Sequence, residues 1–331
     1  MKKVLITGGF GFIGSNFLKK LLLKNIYKII VIDKFTYSTN YNINFFKKHK
    51  YLKIYKEDII NQKKISNILK KEKPNIIINL AAESHVDNSI KRKNLFLNTN
   101  IFGLDSLLSA CKNELDLSSI KIIHFSTDEV YGTIPLGKFS NEDNTFKPSS
   151  FYSSTKAAGE SLAYTYLNYF NLPLFILNPC NIFGSFQHPE KFIPKVILNS
   201  FLNKSIPVYG SGLQTRQWLH VDNLVNYTER SFFNSNKFGK YNICSDFEIN
   251  NLALINIIHL ILKKNFNLKN LDKMIKNVDD RVNHDTRYFS SNKKIIKTFK
   301  NNEILSLNKT KFKINIQNTI DWYIKNYNKF L

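Results

Sequence analysis

Tyr152 and Lys156 stand four residues apart, a spacing that places both side chains on one face of a helix. A phenol titrates near about 10 in water, too high for a base at neutral pH. An ammonium beside it favours the phenolate and lowers that value. Such a pair can take the proton from a sugar or alcohol hydroxyl while a hydride leaves the same carbon. Upstream lies the run Ser126-Thr127-Asp128-Glu129-Val130-Tyr131-Gly132. Thr127 is placed to hydrogen-bond the same substrate oxygen. Asp128 and Glu129 add two adjacent carboxylates, more than a plain dehydrogenation needs. Neighbouring carboxylates tend to separate their pKa values, so one can act as acid and the other as base. The set suits an enzyme that oxidises a substrate, eliminates water from it and reduces it again.

A departing hydride needs an acceptor, and the chain carries a site for one. Gly8, Gly11 and Gly14 form a G-x-x-G-x-x-G pattern within Gly8-Gly9-Phe10-Gly11-Phe12-Ile13-Gly14. Glycine lets the backbone turn tightly and approach a pyrophosphate, and the following helix N-terminus faces the negative charge. Asp33 lies 19 residues beyond Gly14, where a carboxylate accepts bonds from the adenosine ribose hydroxyls. It repels a 2′-phosphate, which favours NAD over NADP. Asp58-Ile59 follows a third apolar run, where a carboxylate can meet the adenine amino group. Leu80-Ala81-Ala82 follows a fourth, and its small residues let a cofactor pass closely.

The elements that position these groups follow from periodicity. Strands are predicted at Val4–Thr7, Ile29–Ile32, Ile54–Tyr55, Ile76–Leu80, Lys121–Ser126 and Leu174–Leu177, the last stopped by Pro179. Helices are predicted at Ile13–Leu23, Ile65–Lys71, Leu95–Cys111 and Ser153–Phe170. Alternation of the two types argues for an α/β fold, a Rossmann-type doubly wound parallel sheet. Beyond about residue 180 the rhythm changes. Pro189, Pro194, Pro207, Gly210 and Gly212 punctuate a region that reads as rich in loops, before helices at Asn250–Lys263 and Asn315–Tyr327. The expected division is an NAD-binding domain over 1–180, with a return segment near 215–245, and a smaller C-terminal substrate-binding lobe over 181–331.

A chain of 331 residues with 43% hydrophobic content can bury a large core and a smaller companion. No apolar run is long enough to span a bilayer. Met1 to Gly9 resembles the start of a signal peptide, but its glycines come too early, and a first strand is the better reading. Cys111, Cys180 and Cys244 are odd in number and unpaired in spacing, which argues against disulfides and against a metal site. A reducing cytoplasm is the expected compartment. The net charge of +23 is dispersed through Lys-, Asn- and Ile-rich tracts that reflect AT-rich coding. It forms no arginine-rich stripe, so no nucleic-acid partner is expected.

The chain resembles the extended short-chain dehydrogenase/reductases, and within them the dTDP-glucose 4,6-dehydratase family. The resemblance rests on the glycine loop, Asp33-Lys34-Phe35-Thr36-Tyr37, Ala81-Ala82-Glu83-Ser84-His85-Val86-Asp87 and the Thr127-Asp128-Glu129 run. It continues through Tyr152-Ser153-Ser154-Thr155-Lys156, Pro189-Glu190-Lys191-Phe192-Ile193-Pro194, Arg216-Gln217-Trp218 and Asp280-Arg281-Val282-Asn283-His284-Asp285. It implies that Tyr152, Lys156 and Thr127 oxidise C4 of a glucose, that Glu129 removes the C5 proton, and that Asp128 protonates the departing C6 hydroxyl. It adds Phe12, Ile13, Lys34, Thr36, Ser84 and Thr99 to the NAD contacts. It places Ser84, Thr127, Asn181, Lys191, Phe192, Pro207, Tyr209, Arg216, Asn250, Arg281 and His284 around a dTDP-sugar, with the cationic groups as diphosphate clamps. A homodimer through the helices at Leu95–Cys111 and Ser153–Phe170 is also implied. Ile182, Gln217, Val282 and Asn283 depart from the family pattern. The alternatives are a UDP- or CDP-glucose dehydratase, since one methyl discriminates by only about 1–3 kcal/mol, or a nucleotide-sugar 4-epimerase, which has no use for the Asp128-Glu129 pair.

Overall fold

The computed structural model describes residues 1–36, 40–46, 49–281, 283–301 and 305–329; Tyr37 and Val282 lie outside the described residues. Its first half is a chain of strand–helix units: β1 (Lys2–Thr7), α1 (Phe12–Lys24), β2 (Tyr27–Asp33), α2 (Asn40–Ile43), β3 (Leu52–Lys56), α3 (Gln62–Glu72) and β4 (Ile76–Asn79). Two short helices, α4 (Val86–Lys91) and α5 (Lys93–Leu97), lead through a π-helical stretch at Asn98–Phe102 into α6 (Gly103–Glu114). Then come β5 (Lys121–Phe125), a 3-10 turn at Asp128–Tyr131, α7 (Phe151–Asn168) and β6 (Leu174–Pro179).

The second half holds β7 (Asn181–Phe183), α8 (Phe192–Phe201), β8 (Ile206–Tyr209), β9 (Thr215–His220), α9 (Val221–Phe232), β10 (Gly239–Ile243), β11 (Glu248–Asn250), α10 (Asn251–Phe266), β12 (Ile275–Val278), α11 (Lys293–Phe299) and α12 (Lys309–Asn326). Seven strands form one parallel sheet in the order β10-β6-β5-β4-β1-β2-β3. The order reverses between β1 and β4, and open α/β sheets bind ligands at such a switch point.

Successive side chains of a strand point to opposite faces, and this chain fills both with apolar groups. Val4, Ile6, Ile29, Val31, Ile76 and Ile78 face one core with Phe17 and Leu21 of α1 and Leu224 and Tyr227 of α9. Leu5, Ile30, Ile32 and Ile77 face the other with Ile65 and Leu69 of α3, Leu107 of α6 and Ala163 of α7. Burial on both faces is why these strands read as unbroken hydrophobic runs. A third core joins α8, α10 and α12 to β8 and β9 through Ile193, Ile197, Val208, Trp218, Leu254, Ile258, Phe312 and Ile316.

Three expectations need correction. The segment Leu95–Cys111 is not one uniform helix: a π-helical turn interrupts it and brings Thr99 to the cofactor cleft, as such bulges commonly do at functional sites. The region after residue 180 is dense in elements rather than loops. Pro194 sits in the first turn of α8, where the missing N–H costs nothing, and Pro207 lies within β8. Pro179 is the last residue of β6, in register with Ile243 of β10, instead of terminating that strand beforehand.

Candidate active site

At the switch point the first loop leaves β1 with Gly8 at φ +63°, a left-handed conformation that favours glycine. A Cβ at Gly8 would lie 2.9 Å from both Cα and N of Ala81, and one at Gly14 would lie 2.5 Å from the Gly8 carbonyl oxygen. The Gly8 N–H donates to Ile32 O at 2.9 Å, and Gly11 N–H returns to Gly8 O at 3.1 Å. The result is a tight cradle opening on the N-terminus of α1. One cleft runs from this cradle and is lined by every residue expected to hold the cofactor: Gly8, Gly11, Phe12, Ile13, Gly14, Asp33, Lys34, Thr36, Asp58, Ile59, Leu80, Ala81, Ala82, Ser84, Thr99, Tyr152 and Lys156. A backbone groove with a helix N-terminus, a carboxylate at the end of β2 and Tyr152 and Lys156 along the same cleft fits a dinucleotide.

Asp33 is buried, and both its oxygens already serve the loop. Oδ2 accepts from Phe10 N–H at 3.0 Å and Oδ1 from Phe35 N–H at 2.9 Å. Each carboxylate oxygen keeps a second acceptor site, so Asp33 can shape the loop and still take a ribose hydroxyl. Lys34 crosses the cleft wall to Thr99 Oγ1 at 3.2 Å and to Glu83 at 3.1 Å.

Tyr152 and Lys156 ride on α7, whose start is fixed by a reciprocal Ser150–Ser153 capping box. Both are buried. The Lys156 ammonium donates to the Phe125 carbonyl at 2.7 Å, and burial pushes its pKa down to about 8. The Tyr152 phenol is pushed up instead of down. Burial is the main cause and the Glu129 carboxylate adds to it, while a hydrogen bond from Thr127 pulls the other way. Desolvation decides the direction, and spacing in a sequence does not reveal it.

Thr127 caps the 3-10 turn by accepting from Glu129 N–H at 3.3 Å. Gly132 ends that turn at φ +69°, packed so that a Cβ would lie 2.2 Å from the Lys147 carbonyl oxygen. The two carboxylates differ in setting. Asp128 is buried and lies well above the ordinary carboxyl range, through burial first and the Glu129 charge second. Glu129 is half-buried and raised by burial, but Arg216, Lys191 and Arg281 all act to lower it. Both carboxyls are therefore raised, Asp128 well above its ordinary range and Glu129 against the pull of three cations.

Of the residues expected around the sugar nucleotide, Ser84 and Lys191 line the same cleft, joined by Lys191 Nζ to Ser84 O at 2.9 Å. Arg216 is buried, donates to Asp285 O at 2.8 Å and lies 4.1 Å from the Tyr288 ring centroid. Arg281 forms a two-pronged pair with Asp87, at 2.7 and 2.8 Å, and lies 4.5 Å from the Tyr209 ring centroid. His284 meets Asp280 at 2.6 Å and stands edge-on to Tyr209. Asn250 is in register with Thr215, beside Arg216, but its side chain caps α10 by accepting from Ala253 N–H at 2.8 Å. Asn181 lies on β7 with its Oδ1 buried and unpartnered. Phe192 opens α8 and Pro207 lies in β8, where the contacts described tie neither to the carboxylate pair.

Several neighbours escaped the sequence reading. Gln187, His188 and Glu190 line the cleft, with His85 Nε2 at 3.6 Å from Glu190. Tyr288 donates to Asp285 at 2.6 Å, and its phenol is raised by burial and then by Glu129. Its signal was its place just past the Asp280–Asp285 run. Two departures are also explained. Gln217 donates to Ser245 O at 2.7 Å and Ser290 O at 3.1 Å while accepting from Ser290 N–H at 2.7 Å, a set only an amide can make. Asn283 adopts φ +52°, tolerable for Asn where another side chain would be strained.

The family model described as GDP-mannose 4,6 dehydratase matches residues 5–319. A dTDP-glucose 4,6-dehydratase of Haemophilus influenzae is 34% identical, covering 98% of this chain and 99% of the relative. A dTDP-D-glucose 4,6-dehydratase of Dictyostelium discoideum is 35% identical, covering 100% of this chain and 83% of the relative. Among solved structures, dTDP-glucose 4,6-dehydratase from Bacillus anthracis in complex with NAD superposes with a TM-score of 0.86 at 32% identity, covering 100% and 99% of the two chains.

Proposed function

The chain belongs to the GDP-mannose 4,6 dehydratase family, and from that premise we propose that it converts dTDP-glucose to dTDP-4-keto-6-deoxyglucose and water, an NAD-dependent hydro-lyase reaction that opens a route to rhamnose-type 6-deoxysugars. The observation that carries this reading is the adjacent carboxylate pair beside Tyr152, since a dehydrogenase or an epimerase needs neither Asp128 nor Glu129. NAD, when bound, would supply the hydride acceptor for C4 and the donor for C6.

The chain's own groups do the proton work. Tyr152, steadied by the Thr127 hydroxyl, takes the proton of the C4 hydroxyl. A keto group at C4 acidifies the C5 proton, and Glu129, the carboxylate on which Arg216, Lys191 and Arg281 act, removes it. Asp128, held protonated by burial, gives its proton to the departing C6 hydroxyl. Lys191, Arg216 and Arg281 surround Glu129 with positive charge, which suits a bound diphosphate. Gly8, Gly11, Phe12, Ile13 and Gly14 would hold the pyrophosphate, Asp33 and Asp58 the adenosine.

Purified protein incubated with dTDP-glucose, with UDP-glucose in parallel, tests the reading by NMR of the product. A 4-keto-6-deoxy sugar from dTDP-glucose is expected. Product from UDP-glucose alone would keep the mechanism and change the substrate, and a C4-inverted sugar would overturn the dehydratase reading.

The protein is also read as a homodimer. The helices from Lys93 to Glu114 and α7 carry the exposed aromatics Phe102 and Tyr164, and Tyr169 follows α7; sedimentation as a monomer at micromolar concentration would refute this. Among the described residues no helix is long and apolar enough to cross a membrane. Three buried free thiols fit a cytoplasmic setting, checked by fractionation of the source cells.

A further inference from the structure

Glu160 stands four residues beyond Lys156, on the same helix, with no exposed surface and no part in the chemistry above. One of its oxygens lies 2.8 Å from Lys240 Nζ of β10. The other accepts from Asn178 Nδ2 of β6 at 2.6 Å. The second hydrogen of that amide goes to the Thr127 carbonyl at 3.0 Å. Both neighbours of the Asn178 nitrogen are acceptors, so the amide can sit only one way round. Thr127 in turn supplies the hydroxyl that bonds Tyr152.

Both supports of Tyr152 thus lead back to one carboxylate: Thr127 through Asn178, and Lys156 through charge along α7. We propose that Glu160 is a positioning residue of the reaction, an anchor that keeps the Lys156 ammonium charged and seats Thr127 against Tyr152. The proposal rests on the roles given above to Tyr152, Lys156 and Thr127.

The surroundings leave Glu160 suited to this task. Burial lowers Lys156 to about 8, and the Glu160 charge is what opposes it. His124, on β5, is held neutral by burial and by Lys156 itself. Tyr131 stays a phenol and donates to Asn242 at 2.9 Å. Glu142 accepts from Asn242 N–H at 2.8 Å and is raised by burial. A buried carboxylate needs a charged or hydrogen-bonding partner. Lys240, with its ammonium 4.8 and 4.5 Å from the Tyr131 and Phe146 ring centroids, is the cation paired with Glu160. Stability does not account for the pair, because buried ion pairs gain little over apolar residues of similar volume.

The test is the pH dependence of kcat for the dehydration, from neutral to alkaline pH. Glu160→Gln keeps the size and an acceptor for Asn178 but drops the charge, and it leaves Lys240 buried without a partner. The double variant Glu160→Gln/Lys240→Met removes both charges and strands neither. In each, the alkaline limb is expected to move down by about one pH unit or more, with KM and bound NAD unchanged. A folded double variant with the parent's pH profile and kcat would overturn the proposal. Lys156→Met run alongside separates the causes: full turnover there would sink the catalytic reading itself, whatever Glu160 does.

Discussion

The cofactor cleft is made largely of backbone. Gly8, Gly11 and Gly14 line it, a Cβ at Gly8 would meet the Ala81 backbone at 2.9 Å, and both oxygens of Asp33 hold the loop in shape. The nucleotide-sugar side is made of long side chains from distant segments, already tied to one another. Arg281 is paired with Asp87, 194 positions away, Arg216 is held on the Asp285 carbonyl, and His284 is held on Asp280. The first region is a rigid mould. The second, on the proposed reading, is a set of charged groups that would exchange internal partners for a substrate. Substitutions on the cofactor side should therefore act on NAD retention and stability together, and those on the other side on KM with the fold left alone. The carboxylate pair lies between the two and should obey neither rule.

That gives the largest expected effect. Asp128→Asn removes the acid, and general-acid loss costs about 10²–10⁴-fold in kcat, with NAD still bound. The same change should raise stability at neutral pH. Asp128 is held well above the ordinary carboxyl value, so the folded chain keeps a proton that the unfolded chain releases. Stability from this group is full below the unfolded value of about 4 and is lost as pH rises towards the folded value. Asn carries no such penalty, and thermal melts should show a larger gain at neutral than at acid pH. Equal melting of the two proteins at neutral pH would mean that Asp128 is ionised without cost, and the acid role would fall with it.

Gly8→Ala is the next largest and probes the mould. The added Cβ meets Ala81 backbone at 2.9 Å and forces a non-glycine residue to φ +63°. Strain of about 1–2 kcal/mol from the backbone adds to the cost of overpacking. Because Ala81 follows β4, relief of the clash separates β1 from β4 at the switch point itself. NAD carried through purification and the melting temperature should fall together. Loss of one without the other would show that the glycine loop and the fold are less tightly joined than the geometry implies.

The same contrast explains what the sequence could reveal. The residues along the cleft were legible because a strand, three glycines and an acid lie within 33 consecutive positions and their placement is set by local backbone. The parallel sheet was legible because both faces of its strands are buried, leaving long apolar runs. The π-helical turn at Asn98–Phe102 was not, since one extra residue per turn hardly disturbs an apolar pattern. Gln187 and Glu190 reach the cleft only because the chain returns to it after β7. Glu160 continued the four-residue spacing of Tyr152 and Lys156, but its partners Asn178 and Lys240 come from two other strands. The direction of the Tyr152 shift depended on burial, a tertiary quantity, and there the reading from spacing failed.

The smallest expected effect falls on Asn250, where the two kinds of region are hardest to tell apart. The resemblance assigns it to the substrate, yet its Oδ1 accepts from Ala253 N–H and so closes the N-terminus of α10. Asn250→Ala removes both possibilities at once and should cost about 1 kcal/mol of stability, the usual value of a lost cap. Asn250→Ser restores a capping oxygen but not the carboxamide. If the residue is a cap, the serine variant should recover the melting temperature and leave KM for dTDP-glucose as it was. A raised KM that persists in the serine variant while stability returns would make the amide a substrate contact. It would also show that the side built of borrowed side chains has one fixed point, set by a helix rather than by the substrate.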